Sequence, residues 1–208
     1  MKLENTKIIF LGDSITQGAL ASKEENFFHQ IIKSEHNLAQ AYNCGIGGTR
    51  IAKQTNPSSH IYDLYYGLRI EILPKEADAI VVFGGSNDFG HGDAKLGDID
   101  STDVCTFYGA LNCLIADLQK NYPNAKIIFM TPLKRSNESQ PNCNGYVLEQ
   151  YVDAIIKFTQ KNNLPVIDLF RCGLFDPNDS DIFPDGLHPN DIGHKMMADY
   201  IAQELLKI

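Results

Sequence analysis

The sequence predicts an α/β protein built on an open parallel sheet wound with right-handed crossovers. Two observations carry this. Short apolar runs bounded by turn residues recur from end to end, and stretches with helical spacing lie between them.

Lys7–Leu11, Gln40–Cys44, Ala79–Gly84, Lys126–Met130 and Pro165–Phe170 are the runs. Each is short, apolar and bounded by turn residues, which suits strands buried on both faces of a parallel sheet. Between them, Ile61, Leu64, Leu68 and Ile72 recur at three or four residues and stop at Pro74. Val104, Phe107, Leu111, Leu114 and Leu118 repeat the pattern after a cap expected at Ser101 or Thr102. Tyr151, Ile155 and Phe158 form a shorter stripe. Ile192, Met196, Tyr200, Ile201 and Leu205 line a closing helix, for which Asn190 is the expected cap. All four stripes are read as core faces. The simplest strand order for five such units is 2-1-3-4-5.

At 208 residues the chain is expected to form one domain, spanning 1–208. Its 43% apolar and 21% charged content is ordinary for a globular protein. A net charge of −8 opposes both a phosphate backbone and an anionic membrane surface. Nucleic acid is therefore not an expected partner. No apolar run approaches the ~20 residues of a membrane span, so no integral membrane association is expected. The N-terminus passes from Lys2 and Glu4 straight into Ile8-Ile9-Phe10-Leu11, without the apolar region of an export signal. Five cysteines (Cys44, Cys105, Cys113, Cys143, Cys172) are scattered, odd in number and form no C-x-x-C pair. They read as reduced, mostly buried thiols in a cytoplasmic protein rather than a disulfide framework or a zinc site.

In open parallel sheets, ligands bind beyond the carboxyl ends of the strands, near the switch in strand order. With order 2-1-3, three loops should meet there: Gly12-Asp13-Ser14, Gly45-Ile46-Gly47-Gly48-Thr49 and Gly84-Gly85-Ser86-Asn87-Asp88. The Asp185-Gly186-Leu187-His188-Pro189 loop precedes the last helix and can close over the same edge. A serine becomes a useful nucleophile when a histidine takes its proton. A carboxylate three residues before that histidine can hold its other ring nitrogen. Ser14, His188 and Asp185 supply these parts. The amides of Ser14 and Gly48 and the side-chain NH₂ of Asn87 are candidate donors to a developing oxyanion. Asp13 is expected to hold the nucleophile loop rather than to react. Arg50 and His91 are candidates for lining the substrate mouth, although a solvated or structurally paired role suits Arg50 equally.

These motifs closely resemble those of the SGNH, or GDSL, hydrolase family. Gly12-Asp13-Ser14-Ile15-Thr16-Gln17-Gly18 is similar to its first block, Asn43-Cys44-Gly45-Ile46-Gly47-Gly48 to its second, and Gly84-Gly85-Ser86-Asn87-Asp88 to its third. Asp185-Gly186-Leu187-His188-Pro189 is similar to its fifth. The resemblance implies a three-layer, flavodoxin-like α/β/α fold with a five-stranded parallel sheet. It also implies ester hydrolysis through a Ser-His-Asp triad, with neither metal nor cofactor. The substrate is a small-molecule ester. A short acyl group is expected, an acetylated carbohydrate first, with lysophospholipase or thioesterase activity and a non-catalytic binding module as alternatives. The loop from Pro132 to Tyr146 carries no substrate signal.

Competing motifs fail. Arg50 stands where a dinucleotide loop needs glycine, and neither a phosphate-cradling G-x-x-x-x-G-K nor a G-x-S-x-G elbow occurs. Asp13, Asp88, His91, Asp185 and His188 lack the close ligand pairs of a metallohydrolase and would leave Ser14 and Asn87 without a role.

Overall fold

The computed structural model describes residues 1–56 and 64–208. Five strands, β1 (Lys7–Gly12), β2 (Gln40–Gly45), β3 (Ala79–Phe83), β4 (Lys126–Met130) and β5 (Val166–Ile167), pair in parallel. Their order is β2-β1-β3-β4-β5, as the alternation of runs and stripes predicts. Six α-helices accompany them among the described residues: α1 (Ser14–Gln17), α2 (Phe28–His36), α3 (Ser86–His91), α4 (Phe107–Asn121), α5 (Leu148–Lys161) and α6 (Asp191–Lys207).

Period-two alternation divides the core into two layers. Ile9 and Leu11 of β1, Ile80 and Val82 of β3, and Phe129 of β4 face one cluster, which holds Leu111 and Leu114 of α4 and Ile155 and Phe158 of α5. Ile8 and Phe10, Ala79 and Val81, and Ile128 and Met130 face the other, with Phe28 and Ile32 of α2 and Met197 and Ile201 of α6. The result is an α/β/α sandwich. Every residue of β3, at the centre, is buried, which is why its sequence shows a continuous apolar run.

Several expected elements shift. The stripe ending at Pro74 becomes a 3₁₀ segment, Tyr66–Ile72; Ile61 lies outside the described residues. At about three residues per turn the 3.6 pattern loses phase. Leu68 and Ile72 are exposed, while Tyr66, Arg69 and Ile70 turn inward. The Tyr66 hydroxyl anchors the segment by donating to Phe83 O at 2.7 Å. The cap of α4 is Thr106, whose side chain accepts from the Gly109 amide, rather than Ser101 or Thr102, and Val104 precedes the helix. The buried stripe of α6 is His194, Met197, Ile201 and Leu205, so Ile192, Met196 and Tyr200 sit off its centre. Asn190 caps α6 as expected, accepting from the Ile192 and Gly193 amides.

β5 is only two residues long. After Ile167, the Asp168 carboxylate accepts from the Thr131 hydroxyl (2.9 Å) and the Arg171 amide (3.2 Å) and bends the chain off the sheet edge. The cysteines correct another expectation. Four are partly exposed and Cys143 is exposed, so they are not mostly buried. No helix among the described residues is long and apolar enough to cross a membrane.

Candidate active site

The carboxyl ends of β1, β2 and β3 carry the three glycine-containing loops to one edge of the sheet. Arg69, fully buried in the 3₁₀ segment, ties the loops after β1 and β2 to each other. Its Nη1 donates to Gly12 O (2.9 Å) and to Thr49 Oγ1 (3.0 Å), and its Nη2 donates to Cys44 O. Burial works against its charge, so these carbonyl acceptors matter. Sequence reasoning missed this residue. A lone arginine after an undistinguished loop carries no motif, and its partners are twenty or more residues away.

Ser14 opens α1. Asp13, just before it, is buried and accepts from the Ile15 amide at 3.1 Å, holding the turn as expected. Burial pushes its carboxyl up to about 6, with the Ile15 amide, His188 and Arg69 pulling the other way.

Ser14 Oγ lies 2.9 Å from His188 Nε2. His188 Nδ1 lies 2.6 Å from Asp185 Oδ2, and Asp185 Oδ1 accepts from the amides of His188 (2.7 Å) and Leu187 (3.0 Å). Burial works to raise the Asp185 carboxyl, but the imidazole and both amides outweigh it and hold the group below its usual value. The carboxylate thus fixes the proton on Nδ1 and leaves Nε2 to accept from the serine.

Three donors surround the serine. Among the described residues, no protein group accepts from the Ser14 or Gly48 amides. Gly48 has φ 76°, a left-handed conformation that a side chain would strain. Its neighbour Gly47 donates to Gln17 Oε1 at 2.7 Å, which pins the loop over α1. Asn87 Nδ2 donates to Thr49 O at 3.0 Å, which sets the amide orientation and leaves its second N–H toward the cleft.

His91 sets that orientation a second time. Its Nδ1 lies 3.1 Å from Arg50 Nη1, and its Nε2 lies 3.0 Å from Asn87 Oδ1. A guanidinium can only donate, so Nδ1 accepts and Nε2 carries the proton toward Asn87 Oδ1. Burial, then Arg50 and Arg135, lower the His91 pKa, which keeps this neutral tautomer in place. His91 lines the cleft. Arg50 does not. It is buried behind His91 and also donates to His91 O at 2.8 Å, so the structurally paired reading of Arg50 prevails over substrate contact.

Asp88 is likewise internal. Its carboxylate accepts from the Ile51 (3.0 Å) and Ala52 (2.8 Å) amides, and burial pushes it up to about 6. No three His, Cys, Asp or Glu side chains gather as metal ligands among the described residues. The cleft holds about 460 Å³. It also takes in Arg135, from the loop that gave no substrate signal in the sequence.

Residues 10–196 match the GDSL-like Lipase/Acylhydrolase family. A crystal structure 30% identical aligns over 100% of this chain and 99% of its own, with a TM-score of 0.89. A protein from Lactobacillus plantarum is 31% identical over 98% of this chain and 96% of its own, at a TM-score of 0.80. An acetyl xylan esterase, AlAXEase, is 27% identical over 95% and 98%, at a TM-score of 0.68. No curated protein matches the chain. Fold and family together define a hydrolase acting on ester bonds. The chain belongs to the GDSL-like lipase/acylhydrolase family.

Proposed function

We propose that residues 1–208 form one catalytic domain, a serine esterase that cleaves a short-acyl ester through Ser14, His188 and Asp185. The observation that carries this is the unbroken line from Ser14 Oγ through both ring nitrogens of His188 to Asp185.

His188 Nε2 takes the Ser14 proton as Oγ attacks the ester carbonyl, whose oxygen becomes an oxyanion. The Ser14 and Gly48 amides and Asn87 Nδ2 donate to it. The intermediate collapses by breaking the bond to the alcohol oxygen, which leaves with the proton from His188. Water, losing a proton to His188, then attacks the acyl-serine, and the acid departs as Oγ regains that proton. Asp185 stabilises the imidazolium throughout. His91 orients Asn87 from behind, and Arg50 orients His91. These steps call on no metal or cofactor.

An acetylated carbohydrate is the preferred substrate, supported by the similarity to an acetyl xylan esterase. Free cysteines suit a cytoplasmic, reducing setting.

Hydrolysis of 4-nitrophenyl acetate by wild type and by Ser14→Ala, both with chelator present, tests the reading. The variant should lose on the order of 10³-fold or more in kcat. Full activity in Ser14→Ala would refute it. A clear preference for decanoyl over acetyl esters would favour a lysophospholipase or thioesterase. Failure of Ser14 to react with an organophosphonate would favour a binding module.

A further inference from the structure

Acidic residues outnumber basic ones by 26 to 18 in this chain, yet no carboxylate lines the cleft among the described residues. Histidines aside, the one ionisable side chain on its wall is Arg135.

The Arg135 guanidinium is held in place. Nη1 donates to Ser86 O at 3.1 Å and more weakly to Ser86 Oγ at 3.4 Å, and Nε donates to Asn137 Oδ1 at 2.7 Å. The group lies over the Phe89 ring, 5.5 Å from its centroid. Gly90 leaves room for it, since a Cβ there would come within 2.5 Å of Nη1. Glu138 is spent on the Arg135 backbone amide. Among the described residues, Asp13 and Asp185 act on the guanidinium's charge only from beyond ion-pair distance, and Nη2 makes no hydrogen bond to the protein.

A half-buried cation held by neutral acceptors, with part of its donor fork unused beside a nucleophile, suits an anionic ligand. We infer that the cleft takes an ester carrying a carboxylate near the scissile carbonyl, and that Nη2 of Arg135 binds it. This rests on the cleft being the ester site. The carboxylate belongs to the acyl group or to the alcohol, and an acetylated sugar acid is one case of the latter.

Two ester pairs separate these sources. On the acyl side, 4-nitrophenyl hemisuccinate is compared with 4-nitrophenyl butyrate; on the alcohol side, 3-acetoxy-4-nitrobenzoate is compared with its methyl ester. Each kcat/KM is divided by the ester's own rate with hydroxide. Wild type should favour the anion in at least one pair by about tenfold or more at low salt, and added NaCl should shrink that preference. Arg135→Gln should bring the ratio close to one. If neither anion is favoured, or if the preference survives in Arg135→Gln, the inference is overturned and Arg135 merely ties its loop to α3. The wild-type ratios and their salt dependence hold even if the variant misfolds. Equal turnover by Ser14→Ala would instead overturn the serine mechanism. Calorimetry of 3-acetoxy-4-nitrobenzoate and its methyl ester on Ser14→Ala, with succinate against succinamide for the acyl side, then decides the anion question without catalysis. A stronger heat-detected affinity for either anion supports the inference, and equal affinities within both pairs overturn it.

Discussion

At the residue scale, the neutral donor Asn87 is held by two independent constraints. Thr49 O accepts from its nitrogen, and His91 Nε2 donates to its oxygen. Removing the donor with Asn87→Ala should cost about 10²–10³ in kcat. His91→Phe keeps the donor and removes one of its guides, so the loss should be smaller, up to about 10²-fold, and should appear in kcat rather than KM. Steady-state kinetics on both variants separates the roles. A rise in KM alone for His91→Phe would make His91 a substrate contact instead. Asp185 and His188 were legible in the sequence because three residues of chain bring them together whatever the rest does. Arg69, Arg50 and Arg135 were not assigned their roles, because an arginine's partners are fixed by which distant carbonyl or ring it meets.

At the element scale, the helices show where periodicity is a sound guide and where it slips. In α4 and α5, Leu111, Leu114, Ile155 and Phe158 are buried as the stripes predict. In α6 the apolar residues run round much of the helix, so the sequence alone did not fix its phase. Packing against α2 chose the face with His194 and Met197, leaving Ile192 56% exposed. Met197→Ala should therefore cost about 2–5 kcal/mol by opening a cavity, and Ile192→Ala should cost much less. Urea unfolding of the two variants checks this, and equal losses would mean that α6 is rotated.

At the scale of the whole molecule, four buried groups contribute opposing responses of stability to acid. Burial pushes Asp13 and Asp88 up to about 6 and pushes His29 and His194 down to about 4. Between about pH 4 and 6, the folded chain holds protons on both aspartic acids that the unfolded chain has released. Over the same range, the unfolded chain holds protons on both histidines that the folded chain lacks. The Asp contribution weakens stability as pH rises, and the His contribution weakens it as pH falls. They nearly cancel, so these groups leave stability almost flat across the window. Asp88→Asn removes one folded-state proton and unbalances the set. Relative to wild type, its stability should fall by about 1.4 kcal/mol more per pH unit as pH drops from ~6 to ~4. Denaturant unfolding through that range measures the slope, and an unchanged slope would mean that Asp88 is ionised in the folded chain.

The sequence by itself determined the sheet and its strand order, and it named the residues proposed here as nucleophile, base and acid. Each was read from short-range pattern: apolar runs, turn residues, and motifs a few positions long whose place at strand ends brings Ser14 to His188 across 174 residues. Only the tertiary structure decided what surrounds that set. It set Arg69 between the loops after β1 and β2, placed Arg50 behind His91, and brought Arg135 to the cleft wall. The physical reason is that a long cationic side chain satisfies its donors wherever the folded chain offers acceptors. That choice is made by packing across dozens of residues, which local sequence does not encode.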